Sequence, residues 1–84
     1  MLRLLGGFLM KMRGRVIRRV LYEGTKSEHE GMVLVVPDGE FKLRRRGGNP
    51  FQDKTLSSLD GKVIEGEGLV RKNQFILSSW NVID

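Results

Sequence analysis

The densest group of functional side chains in this 84-residue chain is a run of cations followed by two glycines and an aromatic ring. The run reads KLRRRGGNPF, from Lys42 to Phe51, and contains four positive side chains. Cations pair with phosphate groups, and an exposed ring stacks on a base, so this combination is typical of proteins that bind single-stranded nucleic acid. The stretch therefore indicates a polyanion with flat bases as a candidate ligand.

The same stretch also has a purely structural interpretation. Residues 47–50 permit a turn with positive φ and a fixed exit, and Phe51 is then expected to plug the end of a barrel. In this interpretation the arginines at 44–46 pair with Glu28 and Glu30. Exposed ion pairs are weak, so the arginines remain available to a partner in either case.

Patterns for catalysis and metal binding are weak in this sequence. The only histidine, His29, stands between Glu28 and Glu30, and neighbouring side chains of an extended chain point in opposite directions. No second group of metal ligands accompanies it. Glu65 and Glu67 share one face of a predicted strand, where pairing with nearby cations explains them. We therefore expect no enzyme, no metal site and no cofactor.

The charge balance favours a polyanionic partner. Fifteen Lys and Arg against ten Asp and Glu give a formal net charge of +5 and an isoelectric point near 10.1. Residues 1–22 carry six of the cations and no acid. The hydrophobic fraction of 39% is ordinary for a globular protein, and the absence of cysteine fits a reducing compartment. We therefore expect a cytoplasmic protein.

The apolar opening, MLRLLGGFLMKM, does not predict a membrane segment. A spanning helix needs about 20 apolar residues, and a secretory signal needs a cleavage site with small residues, which is missing. We expect residues 1–11 to be an apolar and poorly ordered extension. The folded domain is then expected over residues 12–84.

The first half of the chain predicts three strands. Residues 12–22, MRGRVIRRVLY, mix β-branched residues with arginines, which favours a long strand, with room for a bulge, over a helix. A polar loop over residues 23–31 precedes a short buried strand at residues 32–36. Pro37-Asp38-Gly39 then predicts a turn into a third strand at residues 41–44. The register of that strand turns its apolar residues inward and its cations outward.

The second half predicts a helix and two more strands. Asp53 is expected to cap a short helix over residues 54–59, which Gly61 ends. Residues 62–70, KVIEGEGLV, predict a fourth strand whose glycines suit a bulge or strong curvature. A tight turn leads into the last strand, residues 74–83.

This order of elements resembles the OB-fold, a five-stranded Greek-key barrel, here with one short helix between the third and fourth strands. The closing segment from Leu59 to Asp84, LDGKVIEGEGLVRKNQFILSSWNVID, resembles the final hairpin of many OB domains. The fold class that the resemblance implies is all-β, a small five-stranded OB-like barrel over most of residues 12–84. An SH3-like barrel is the alternative, and the helix after Asp53 distinguishes the two.

OB-folds bind oligonucleotides or oligosaccharides across the second and third strands, next to the loops that follow strands one and four. The resemblance therefore implies a small basic binding module for single-stranded DNA or RNA with low sequence preference. The alternative is a protein-interaction or assembly module with no role in nucleic-acid binding. The candidate binding residues are Arg13, Arg15, Arg19, Tyr22, Lys42, Arg44, Arg45, Arg46, Phe51, Arg71 and Lys72. Three other aromatic residues are expected in the core, namely Phe41, Phe75 and Trp80.

Overall fold

The structure is a computed structural model that describes residues 8–49 and 53–83. Its strands are β1 (Phe8–Leu21), β2 (His29–Val36), β3 (Gly39–Arg45), β4 (Val63–Arg71) and β5 (Gln74–Val82), and a short helix, α1 (Lys54–Ser57), lies between β3 and β4. The predicted fold class, an all-β chain of five strands with one short helix between the third and fourth, is confirmed.

The five strands form one closed ring in the order β1, β2, β3, β5, β4. Neighbouring strands are antiparallel except for β3 and β5, which run parallel with Lys42 beside Gln74. β1 takes part in both halves of the ring, because its residues up to Arg15 pair with β4 and those from Arg15 onward pair with β2. The long first strand therefore bends around the barrel and joins its two halves.

β1 and β2 begin earlier than the sequence predicted. β1 starts at Phe8, and residues 8–11 pair with β4, so these four residues of the expected extension belong to the strand. Residues 1–7 lie outside the described range. β2 starts at His29, within the segment expected to be a loop. Backbone pairing with a neighbouring strand fixes both starting points, and a polar side chain does not prevent it at an exposed strand end.

The predicted bulge lies in β4 and not in β1. The pairing of β1 is continuous along both of its neighbours, whereas the β4–β5 register shifts between Glu67 and Gly68. At Gly68 a Cβ atom would collide with the backbone carbonyl oxygen of Ile76 in β5. Glycine therefore permits the close backbone approach that this bulge requires.

The core fills the interior of the ring. Its fully buried side chains are Val16, Leu34, Ile64, Phe75 and Leu77. Leu56 of α1 and Leu59 of the following turn belong to the same cluster. Phe41 and Trp80 pack against it with partial burial, so the core positions predicted for these two rings and for Phe75 are confirmed. Full burial of one such side chain stabilises the fold by about 1.5 to 3 kcal/mol.

The helix α1 is capped as predicted but is two residues shorter. The Asp53 carboxylate accepts hydrogen bonds from the backbone amides of Thr55 at 3.0 Å and Leu56 at 3.4 Å. After Ser57 the chain tightens, because the Leu59 amide donates to the carbonyl three residues earlier, not four. The turn then runs to Gly61.

The bulge provides a test of the barrel geometry. We expect Gly68→Ala to lower the free energy of unfolding by about 3 kcal/mol, because the added methyl group forces β4 and β5 apart. Urea denaturation followed by circular dichroism measures this loss. Gly24→Ala is the control, since Gly24 has a φ of +80° with open space around it and its substitution costs about 1 kcal/mol from backbone strain alone. Equal losses in the two variants would contradict the close approach at Gly68.

Candidate functional site

A groove of about 250 Å³ lies beside β3, between the β1–β2 loop and the start of β5. Side chains from all three elements line it, including Tyr22, Ser27, Lys42, Arg44 and Gln74. We call it the Tyr22 groove. The parallel pairing of β3 with β5 forms one wall, because it places Gln74 beside Lys42. Closure of the ring therefore supplies the wall of the groove that β5 contributes.

Tyr22 is the exposed aromatic ring of this groove. It is 44% exposed, it stacks on His29 with ring centroids 5.9 Å apart, and the Lys42 ammonium lies 3.9 Å from its centroid. Its φ of +56° lies in the left-handed region, which is strained for a bulky residue. The backbone amide and the hydroxyl of Thr25 both donate to the Tyr22 carbonyl, at 3.1 and 2.6 Å, and hold the turn. The fold therefore presents this ring in a fixed position.

Arg44 lies between the Tyr22 groove and a second cavity beside α1. Its Nη1 atom donates to the Gln74 amide oxygen at 3.5 Å, which is a long hydrogen bond. Its Nε atom is buried and has no hydrogen-bond partner among the described residues. A buried donor without a partner costs about 1 to 3 kcal/mol. The hydrogen-bonding capacity of the Arg44 guanidinium is therefore incompletely used within the described residues.

Two of the other candidate arginines already bind carboxylates at close range. Arg19 donates two hydrogen bonds to Glu40, at 2.9 and 2.8 Å. Arg45 lies 3.1 Å from Asp53, whose side chain is only 6% exposed and also caps α1. A planar guanidinium that binds both oxygens of a carboxylate is well satisfied. The main role of these two arginines is therefore to pair with carboxylates within the fold.

Arg13 and Arg15 also have partners within the barrel. Arg13 lies 3.3 Å from Glu65, directly opposite it in the β1–β4 register. Arg15 donates to the backbone carbonyl of Gly61 at 2.6 Å, which joins β1 to the turn after α1. Neither residue lines the Tyr22 groove or the cavity beside α1.

The arginines of β3 do not pair with the acidic loop in the described part of the chain. Glu30 lies 3.8 Å from Arg18, and Glu28 accepts a hydrogen bond from the Gly24 amide at 2.8 Å. The expected pairing of residues 44–46 with these acids is therefore wrong. The start of β2 pairs with β1, and β3 joins β2 only further along, from Val33 onward.

The remaining candidates lie after the end of β3, at the β4–β5 turn or outside the described residues. Arg46 follows β3 with an exposed side chain, and its amide donates to the Leu77 carbonyl at 2.8 Å. Arg71 and Lys72 are exposed at the turn that leads into β5. Phe51 lies outside the described residues. Of the eleven candidates, the structure brings Tyr22, Lys42 and Arg44 together in one groove.

Sequence reasoning missed His29 and Gln74 as members of this groove. His29 lies opposite Leu21 in the β1–β2 register, which brings its ring beside Tyr22. Its Nδ1 atom donates to the Ser27 carbonyl at 2.7 Å, which orients the ring. No local sequence pattern predicts that either residue lines the groove, because both positions depend on pairing between strands that are distant in the sequence.

Residues 8–49 and 53–83 contain no group of three His, Asp or Glu side chains that is suited to a metal ion.

Comparison of the chain with protein-family models, with curated proteins and with solved structures finds no match in any of the three. In the part of the chain that the structure describes, no helix has the length and apolar character needed to cross a membrane.

The Arg19–Glu40 pair gives a pH-dependent test of these assignments. The hydrogen bonds from Arg19 lower the pKa of the Glu40 carboxyl below its ordinary value; partial burial opposes this shift, and charge attraction adds to it. A lowered folded-state pKa stabilises the protein above the unfolded-state pKa, and this contribution disappears as the pH falls through the folded-state value. We expect Arg19→Gln to return the Glu40 pKa toward the ordinary value of a glutamate carboxyl group.

Nuclear magnetic resonance titration of the glutamate carboxyl groups measures this pKa directly. The stability difference between the wild type and Arg19→Gln is expected to shrink below the Glu40 titration, because a protonated carboxyl no longer attracts the guanidinium. An unchanged Glu40 midpoint in the variant would contradict the pair as described.

Proposed function

We propose that this protein is a small OB-like module that binds single-stranded nucleic acid with low sequence preference in the Tyr22 groove. The observation that carries the proposal is the juxtaposition of an exposed tyrosine ring with the Lys42 ammonium and an incompletely satisfied Arg44 guanidinium. Stacking and phosphate pairing are the two interactions that such ligands require.

The position of the groove supports the assignment to the OB-fold. The five-stranded ring with a helix between β3 and β4 is compatible with the architecture of that fold. OB-folds bind ligands on the face of strands two and three, next to the loops after strands one and four. The Tyr22 groove borders β3, the β1–β2 loop and the first residue of β5, which follows the β4–β5 turn.

Lys42 determines how a base reaches the tyrosine ring. An exposed cation over an aromatic face contributes about 0.5 to 1 kcal/mol, whereas a stacked base contributes about 1 to 3 kcal/mol. A base therefore displaces the ammonium from the ring at a net gain. The released ammonium then pairs with a phosphate of the same strand. Every base offers a flat face, which explains a low sequence preference.

Salt dependence follows from the number of cations that contact phosphates. We expect Lys42, Arg44 and the exposed Arg46 to contribute, because the other arginines near β3 already bind carboxylates. Each phosphate neutralised on a single strand lowers the logarithm of the affinity by about 0.7 per tenfold rise in salt. Three contacts give a slope of about −2.

Tyr22 and Arg44 provide the direct test. We expect Tyr22→Leu to weaken binding of a labelled mixed-sequence 12-mer by about 5- to 150-fold, the equivalent of about 1 to 3 kcal/mol of stacking. Tyr22→Phe keeps the ring and is expected to bind within about twofold of the wild type. Fluorescence anisotropy at low salt measures both affinities.

Arg44→Gln tests the role of charge in the Tyr22 groove, and Arg13→Gln is its matched control. Each variant removes one cation, but of these two arginines only Arg44 lines the Tyr22 groove. We expect a clear loss of affinity with Arg44→Gln and little with Arg13→Gln. Equal losses would indicate general charge attraction without a defined site. Absence of binding at low salt would refute the proposed function.

A second surface favours the alternative, a protein-interaction module. A groove of about 360 Å³ is lined mainly by apolar side chains, among them Met10, Met12, Val36, Phe41 and Val70. Within the described residues, the β1 segment before Arg15 pairs with β4 on one side and with no strand on the other. An unpaired strand edge beside an apolar groove accepts a strand from a partner chain.

The alternative predicts self-association or partner binding that depends on Met10, which is 43% exposed. We expect Met10→Glu to dissociate any such assembly, because it places a charge in the apolar groove. Sedimentation velocity over a range of concentrations measures this effect. A wild-type protein that sediments as a monomer throughout would count against self-association. Truncation is a poorer test, since Phe8 to Met10 pair with β4.

A further inference from the structure

A cavity of about 380 Å³ lies between α1 and the strands β2 and β3. We call it the α1 cavity. It shares His29, Leu43 and Arg44 with the Tyr22 groove, so the two spaces adjoin at these residues. Buried Met32 and Leu56 give it an apolar lining. Apolar walls with a few convergent polar groups are typical of ligand sites.

The charged groups of the α1 cavity are unevenly satisfied. They are the cations Arg18, Arg44 and Lys54 and the carboxylates Glu30 and Asp53. The Asp53 carboxylate is already bound by Arg45 and by the first amides of α1. Among the described residues that line the cavity, an anion therefore meets three cations and one carboxylate, that of Glu30, which lacks a close partner of its own.

The contacts of Arg18 are long. It lies 3.8 Å from Glu30 and 3.5 Å from Asp60, whereas a well-formed charged hydrogen bond measures about 2.7 to 2.9 Å. Arg44 adds an Nε atom without a partner among the described residues. Guanidinium groups match the geometry of phosphate oxygens. Two incompletely used guanidinium groups thus line one cavity, with Lys54 beside them.

We propose that the α1 cavity is a phosphate subsite for the same strand, adjacent to the base stacked on Tyr22. The proposal rests on the proposed function for the origin of the phosphate, whereas the chemistry of the subsite depends only on the cavity. Arg44 contacts the strand at the boundary between the two spaces. Arg18 and Lys54 then bind the phosphate from the far side.

The phosphate group that binds in the α1 cavity can come from two places in a nucleic-acid strand. An internal phosphodiester carries one negative charge, and a terminal phosphate carries about two at neutral pH. A subsite for the internal group lengthens the contacted strand by one nucleotide, whereas a subsite for the terminal group gives a preference for strand ends. The experiment below separates these two sources.

The first test uses inorganic phosphate as the probe, at constant ionic strength. We expect saturable shifts of the Arg18 and Arg44 Nε–H signals and of the Leu56 amide in a proton–nitrogen spectrum. Lys54→Ala is expected to weaken this binding at least about threefold. Lys62→Ala is the control, since Lys62 is also an exposed lysine but does not line the cavity. Shifts that do not saturate, or equal weakening in both variants, would overturn the subsite.

The second test compares one oligonucleotide with and without a 5′-phosphate. A gain in affinity from the 5′-phosphate that Lys54→Ala removes identifies the terminal phosphate as the ligand. Equal weakening of both oligonucleotides by Lys54→Ala identifies the internal phosphodiester. If both lysine variants bind like the wild type, the subsite is refuted while binding in the Tyr22 groove stands. If inorganic phosphate binds saturably in the α1 cavity but no oligonucleotide binds to the protein, the proposed function is refuted and the phosphate subsite stands.

Discussion

The parallel pairing of β3 with β5 is the contact on which the rest of the structure depends. It closes the ring, places Leu43 beside Phe75 in the core, and brings Gln74 next to Lys42. Backbone hydrogen bonds at both ends of the pairing fix it, from the Lys42 amide to Asn73 and from the Arg46 amide to Leu77, each 2.8 Å long. Without this pairing the sheet stays open, and the Tyr22 groove loses the wall that β5 supplies.

Closure of the ring also divides the cations into two groups. Arg13, Arg19 and Arg45 all face carboxylates on other elements. The pairs of Arg13 and Arg19 are exposed and contribute less than about 1 kcal/mol each, whereas Arg45 pairs with the nearly buried carboxylate of Asp53. They therefore neutralise parts of the surface, while the apolar core provides most of the stability. Arg44 differs, because no carboxylate pairs with it within the described residues and its Nε atom lacks an acceptor. An incompletely paired guanidinium thus lies where the two cavities meet.

The secondary-structure elements were predictable because they depend on residues that are close in the sequence. The site was not, because it depends on pairing between strands that are distant in the sequence. Asp53 reaches the amides of its own helix two and three residues later, so a short sequence window predicts the cap. The alternation around Leu43 likewise predicts which β3 residues enter the core. The position of Gln74 beside Arg44, 30 residues away, follows only from closure of the ring. Tyr22 was predictable as an exposed ring, but its contact with His29 depends on the β1–β2 register.

The most direct test of the Tyr22 groove is a chemical-shift titration of isotopically labelled protein with a short mixed-sequence single strand at two salt concentrations. We expect saturable shifts centred on Tyr22, Lys42, Arg44 and Gln74, with an affinity that falls steeply at the higher salt. Shifts confined to the apolar groove around Met10, or no shifts at low salt, would contradict a nucleic-acid site beside β3.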